Sequence, residues 1–231
     1  MKHLVVLTGA GMSADSGLAT FRDAGGLWEG YDINEVASID GWNRNPEKVL
    51  EFYNLRRKQA SEAEPNEGHK ALVRLEESFN VTIITQNVDD LHERAGSKNV
   101  IHLHGELRKA RSIKNGKLVY DIGSKPINLG DTADDGGQLR PDIVWFGEQV
   151  PMMDKAASVV EQADLFIVIG TSLVVYPAAG LVDYTQPGIS KYIIDPAAPE
   201  LYPLQDWKHI KSTAAEGTPV LADQILKDGT D

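Results

Sequence analysis

The sequence predicts an α/β fold, a doubly wound parallel sheet with a smaller peripheral insertion. Three observations carry that prediction. Short β-favouring apolar runs alternate with stretches of helical spacing; the first run, Leu4 to Leu7, breaks into Gly9-Ala10-Gly11; and a later one, Leu165 to Ile169, breaks into Gly170-Thr171-Ser172. The stretch from Leu107 to Leu139 interrupts the pattern with few large apolar residues, so it reads as an insertion or hairpin at the periphery.

A buried strand delivered into Gly9-Ala10-Gly11 lets backbone N–H groups approach a ligand without Cβ interference, and the short helix that follows presents its N-terminus to anions. Gly9, Gly11 and Ala14 also match the G-x-G-x-x-G/A dinucleotide pattern. The acid that a Rossmann dehydrogenase carries about 20 residues further on, after a second strand, has no counterpart, because no strand precedes Asp32. From Phe21 to Asp40 the chain reads as an irregular, aromatic-bearing cover. Asn45-Pro46 then supplies a cap and an N1 proline for a helix to about Ser61, which Glu62 to Asn66 ends. A second helix, about Glu67 to Ser78, leads into the strand Val81 to Thr85.

The tip of that strand, Gln86-Asn87-Val88-Asp89-Asp90, lies on the edge where open α/β sheets bind ligands. It reads either as a ligand-facing polar group or as an Asx turn capping a short helix at Leu91 to Arg94. A third strand, Asn99 to His104, puts His102 and His104 on one face. A hairpin turn is expected around Lys114-Asn115-Gly116-Lys117, and the core is expected to resume at Pro141 to Glu148. A helix from Met152 to Gln162, the strand Tyr192 to Ile194 ending at Asp195-Pro196, and an amphipathic helix from about Val220 to Leu226 complete the reading.

At 231 residues the chain can bury one sizeable core with a small subdomain beside it. A net charge of -11 opposes a nucleic-acid partner, which needs a concentrated Lys/Arg surface. No apolar run approaches a membrane span, and the start lacks a signal-peptide pattern, so a soluble cytoplasmic protein without a membrane partner is expected. The absence of cysteine excludes disulfides, thiolate nucleophiles and Cys-based zinc or iron–sulfur sites.

Two hydrolytic chemistries fare poorly. His102 and His104 have no H-E-x-x-H pattern or second ligand set to join Asp89 or Glu106 around a metal. Gly170-Thr171-Ser172 lacks the spacing and second glycine of a nucleophile elbow. His3, His69 and His209 read as surface or core residues. His104 differs, since it ends a buried strand beside Gly105 while neighbouring tips carry Gly9, Gln86 to Asp89 and Gly170. A histidine in such a crevice suits proton transfer near neutral pH.

Six blocks, Gly9 to Ser13, Thr20-Phe21-Arg22, Gln86 to Asp89, His102 to Glu106, Val144 to Glu148 and Gly170 to Ser172, resemble in order and spacing the signature blocks of the sirtuins, most of all small bacterial ones. The resemblance implies a Rossmann-type NAD domain over residues 1–30, 68–107 and 139–231, and a smaller domain over 31–67 and 108–138. It also implies removal of acyl groups from lysine with consumption of NAD. On that resemblance His104 is the general base that activates a ribose hydroxyl, Asn87 holds ribose and an ordered water, and Asp89 receives the nicotinamide carboxamide. Phe21 and Arg22 belong to the cofactor loop, with Thr20 and Trp28 in the same cofactor set. Gly9, Ala10 and Gly11 cradle pyrophosphate, and Thr171 and Ser172, after Gly170, lie along the phosphate and ribose side. Asp15, Gln86 and Val88 join the cofactor set, and Asp195, where the family often has asparagine, and Ala215 lie around the adenosine half.

Substrate expectations come from the same source. A peptide strand is expected between Phe146-Gly147-Glu148 and Leu173-Val174-Val175-Tyr176, with Val144 and Phe146 walling the lysine stem. Tyr53 and Arg56, one helical turn apart, match the Tyr-x-x-Arg pair of sirtuins that remove succinyl and malonyl groups, and Ala37 matches their small pocket residue. Most sirtuins hold the small domain with four cysteines on zinc; none occurs here, and Asp131, Asp134 and Asp135 make a poor substitute, so a zinc-free hairpin held by packing is expected. Two other readings remain within reach of the fold: protein ADP-ribosyl transfer, and an NAD-sensing module without catalysis, which would lack His104 or Asn87.

Overall fold

Along the chain, β1 (His3–Thr8) leads through one turn of helix, α1 (Gly11–Ala14), to a short ladder of β2 (Leu27–Trp28) with β3 (Tyr31–Asp32). Next come α2 (Ile33–Val36), α3 (Ile39–Arg44), α4 (Pro46–Glu62), α5 (Glu67–Leu75), β4 (Asn80–Thr85), α6 (Leu91–Ala95) and β5 (Val100–His102). A second sheet takes β6 (Gly105–Ser112), β7 (Val119–Asp121) and β8 (Leu139–Ile143). The chain then runs through α7 (Met153–Val160), β9 (Leu165–Ile169), a 3-10 helix (Ala178–Tyr184), β10 (Ser190–Ile194), β11 (Lys208–Ile210) and α8 (Ala214–Asp228). The structure is a computed structural model that describes residues 1–19, 27–28, 30–197 and 206–228, with 27, 28 and 228 described by backbone alone. Thr20, Phe21, Arg22 and the Trp28 side chain lie outside the described residues, and so do the roles expected of them.

The main sheet is parallel, in the order β11-β10-β9-β1-β4-β5. Counted along the chain this is the Rossmann order, and its switch point falls between β1 and β9. Val5 of β1 faces Thr82 on one side and Phe166 on the other. The apolar run Leu4 to Leu7 is fully buried because helices cover both faces. Leu4 and Val6 pack with Leu72 and Leu75 of α5 and Leu221 and Ile225 of α8, while Val5 and Leu7 pack with Val160 of α7 and Leu181 of the 3-10 helix.

The expected cap is present: the Asn45 side chain accepts from the Lys48 N–H ahead of Pro46. Asn66, read only as part of the stretch that ends this helix, also forms a capping box with His69 at the start of α5. Several expectations need correction. The stretch Phe21 to Asp40 is not irregular throughout: Asp32 caps α2, and Ser38 caps α3. The third strand stops at His102, two residues short, so the period-two rule does not carry to His104. The second helix ends at Leu75 rather than Ser78, and α8 starts at Ala214, six residues before Val220, with Pro219 inside it.

Pro141 to Glu148 does not return to the main sheet. β8 pairs antiparallel with β6, Gly105 opposite Ile143, and Ile143 and Trp145 join a third cluster with Trp42, Leu50, Phe52, Tyr53 and Leu107. The chain changes sheets at Gly105, whose φ of +83° and contact with the Asp142 carbonyl leave no room for a Cβ. Hydrogen bonds close the small sheet: Ser112 Oγ donates to the Asp135 carboxylate at 2.8 Å, and the Asp134 N–H donates to the Tyr120 hydroxyl at 3.1 Å. Among the described residues no group of three His, Cys, Asp or Glu stands where it could hold a metal. None of the described helices is long and apolar enough to cross a membrane.

Candidate active site

At the switch point the turns after β1 and β9 touch. The Gly9 N–H donates to the Ile169 carbonyl at 3.0 Å and the Gly11 N–H to the Gly170 carbonyl at 2.9 Å. A Cβ on Gly9 would stand 2.7 Å from Thr171 Cβ, and one on Gly11 2.7 Å from Gly170 Cα. These glycines are required first by the contact between the two turns, a reason the sequence did not reveal. Because α1 is a single turn, the open backbone of the turn contributes more to the cradle than a helix dipole does.

A cavity of about 540 Å³ opens between these turns, the β4 tip and the small sheet. Gly9, Ala10, Gly11, Asp15, Gln86, Asn87, Val88, Asp89, Gly170, Thr171, Ser172 and Asp195 all line it, as does His104. Gln86 Nε2 donates to Thr171 Oγ1 at 3.2 Å and ties the tips of β4 and β9 together. Ala215 falls outside the lining, which Thr213 and Ala214 supply instead; the Ala215 N–H donates to the Asp15 carboxylate at 3.3 Å.

The β4 tip is held by a chain of hydrogen bonds. Asn87 Nδ2 donates to Ser13 Oγ, whose own hydroxyl donates to Asp89 Oδ2, both at 3.0 Å. Asp89 Oδ1 accepts the Leu91 N–H at 3.2 Å, so the Asx turn and the ligand-facing arrangement are both present in one residue. Burial pushes the Asp89 carboxyl up, against the lowering effect of those two donors. Ser13 was not among the expected site residues; it sits within the quoted glycine block, but only the fold shows it reaching the β4 tip.

The two histidines separate. His102 Nδ1 lies 3.1 Å from the Asn87 carbonyl and Nε2 2.8 Å from Glu93 Oε1. Both partners accept only, so His102 is satisfied as an imidazolium; the Glu93 pairing overcomes the lowering effect of burial and leaves its pKa raised. His104 Nδ1 lies 3.1 Å from the Gln86 carbonyl, which can only accept. The proton of a neutral His104 therefore sits on Nδ1, and Nε2 carries a lone pair. Burial lowers the His104 pKa and keeps that neutral form dominant at pH 7.

At the other end of the cavity Ala37, Tyr53, Arg56, Val144, Trp145, Phe146, Gly147 and Glu148 meet Val174, Val175 and Tyr176. Leu173, expected with them, lies outside the lining and packs in the core against the 3-10 helix. Phe146, Val174 and Tyr176 are largely exposed and flank the mouth. Tyr53 and Arg56 are buried on α4, and burial holds the Tyr53 phenol protonated. The Glu148 carboxylate is occupied by Arg140 at 2.7 and 3.0 Å and by the Trp145 N–H at 2.8 Å, so it braces the mouth rather than facing it.

The cavity lies at the switch point where doubly wound sheets take their ligands, and fold and cavity together place the chain with the nucleotide-binding enzymes of the doubly wound class. The chain belongs to the Sir2 family, whose model matches residues 9–177. It is 55% identical over 227 residues to an "NAD-dependent protein deacylase" of Helicobacter pylori strain J99, covering 98% of this chain and 97% of that one. A Bacteroides thetaiotaomicron protein of the same name is 52% identical over 231 residues, covering 98% and 99%. A solved structure described as a Sir2 homolog–NAD complex superposes with a TM-score of 0.89 at 42% identity, covering 99% of this chain and 91% of that one.

Proposed function

We propose that this chain is an NAD-dependent protein-lysine deacylase that removes succinyl and malonyl groups as well as acetyl groups. The observation that carries the deacylase reading is the neutral His104, with its Nδ1 proton given to the Gln86 carbonyl and its Nε2 left as a base in the cavity. The two touching glycine turns, with no side chain between them and the ligand space, and the amide and hydroxyl groups beside them fit a dinucleotide. When bound, NAD supplies an electrophilic ribose carbon and a leaving nicotinamide.

The chain's own residues do the rest. His104 Nε2 takes the proton of a ribose hydroxyl. Asn87, braced by Ser13, orients the ribose, and Asp89, held in place by the Ser13 hydroxyl and the Leu91 N–H, receives the carboxamide. The exposed edges 146–148 and 174–176 receive the substrate backbone as an added strand, and Val144 and Phe146 close around the lysine stem, excluding water. Ala37 leaves room for a longer acyl group, Arg56 pairs with its distal carboxylate, and Tyr53 donates to it.

Incubation with NAD and acetyl- or succinyl-lysine peptides tests the reading. It predicts nicotinamide and O-acyl-ADP-ribose in equal amounts with either peptide. Nicotinamide release with the ribose carried onto protein would support ADP-ribosyl transfer instead, and no release would support a binding module.

A further inference from the structure

The acyl end of the cavity contains one hydrogen bond whose direction is forced. Trp145 Nε1 can only donate, so its 3.1 Å contact makes the Tyr53 phenol oxygen the acceptor. With that lone pair occupied, the phenol O–H cannot turn towards the indole. Trp145 is the one hydrogen-bond partner of Tyr53 among the described residues, and the Tyr53 ring lines the cavity, so its proton remains for an acceptor lying there.

The indole itself is clamped from two sides. The Arg140 guanidinium stacks 3.3 Å from the centre of the Trp145 ring, and Arg140 also holds Glu148 with two hydrogen bonds. Glu148 in turn accepts the Trp145 backbone N–H at 2.8 Å, while Arg140 Nη2 donates to the Ile143 carbonyl at 2.9 Å. One partly buried ion pair thus fixes both the backbone and the ring face of Trp145. We infer that Trp145, locked by the Arg140–Glu148 pair, is a positioning residue that aims the Tyr53 hydroxyl into the cavity as a donor to the distal carboxylate of an acidic acyl group. An acetyl group has no distal acceptor and does not sense that orientation. The inference rests on the acidic-acyl reading proposed above.

A double-mutant cycle on the full chain separates the two. Steady-state rates with succinyl- and acetyl-lysine peptides are measured for wild type, Trp145→Phe, Tyr53→Phe and the double variant, and the ratio of kcat/KM for succinyl over acetyl is the readout. Trp145→Phe keeps an aromatic ring for Arg140 but removes the N–H. It is expected to lower the ratio about fivefold, through a raised KM for the succinyl peptide, and to leave the ratio of Tyr53→Phe unchanged. An unchanged ratio in Trp145→Phe, or an equal drop with and without the Tyr53 hydroxyl, overturns the inference. A Tyr53→Phe variant with the wild-type ratio overturns the acidic-acyl reading itself. Should Trp145→Phe fail to fold, Arg140→Gln removes the stacked cation and keeps the indole N–H. It is expected to lower the same ratio only when Tyr53 is present, and an unchanged ratio again overturns the inference.

Discussion

As the proposed base, His104 would act because one of its nitrogens is already committed. The Gln86 carbonyl fixes the proton on Nδ1, and burial lowers the pKa, so the base is in its active form across the neutral range. A group with a lowered pKa loses function only below the usual histidine value of about 6.5. The acidic limb of kcat/KM against pH is therefore expected below pH ~6.5; a limb above that value would contradict the assignment. Arg56 gives the second residue-scale prediction. On the proposed acidic-acyl reading Arg56→Met removes a charge-assisted bond worth about 1.5–3 kcal/mol, so the succinyl over acetyl ratio should fall roughly 10- to 100-fold. Equal losses for both acyl groups would refute the pocket assignment. That Asn87, Asp89 and His104 meet around one cavity was legible in the sequence because each follows shortly after the end of a strand. Ser13 and Trp145 were not legible, because their partners Asn87 and Tyr53 lie 74 and 92 residues away along the chain.

At the scale of elements, the turn of chain from β5 to β6 determines where the site forms. Leaving the parallel sheet at Gly105 sends β6 and β8 into the second sheet and brings Val144 to Glu148 against α4. Gly105→Ala adds a Cβ at positive φ against the Asp142 carbonyl, at a cost of at least about 2 kcal/mol. Thermal unfolding should show a Tm lower by about 4–8 °C; an unchanged Tm would mean the crossing tolerates a side chain. The sequence showed α4 through the Asn45-Pro46 start and α5 through its apolar spacing, while the Asn66 cap of α5 reads only as the end of α4. It marked Pro141 to Glu148 as core but not which sheet the segment joins, because an apolar run carries no record of its neighbours. It started α8 at about Val220, although the helix begins at Ala214 and carries Pro219 inside it.

For the whole molecule, the doubly wound class was legible and the strand order was not, since alternating runs do not tell which strands neighbour which. The Rossmann order puts β1 and β9 side by side, and that adjacency builds the cavity. The same packing buries His69 and His92 edge to face at 4.8 Å beneath the β1 tip, where His92 Nε2 reaches Thr8 Oγ1 at 3.1 Å. Burial lowers His69 to about 4, and His92 is also well below its ordinary value. Their stabilising contribution is complete above the unfolded-state value of about 6.5 and is lost as pH falls towards the folded values, by about 3 kcal/mol for His69 alone. His102 acts in the opposite sense, since its raised pKa favours the folded state below about pH 6.5. The two buried neutral rings outweigh one paired imidazolium, so Tm should fall steadily from pH 7 to pH 5. A flat or rising Tm over that range would show that these rings are not held neutral.

The central claim is that one imidazole facing a bound nucleotide's sugar drives removal of an acyl group from lysine. It is tested most directly by comparing wild type with His104→Ala, with NAD and acyl-lysine peptide at saturation, and measuring O-acyl-ADP-ribose. A loss of about 10²- to 10⁴-fold with the fold intact is the predicted result. Product formation at the wild-type rate would contradict it.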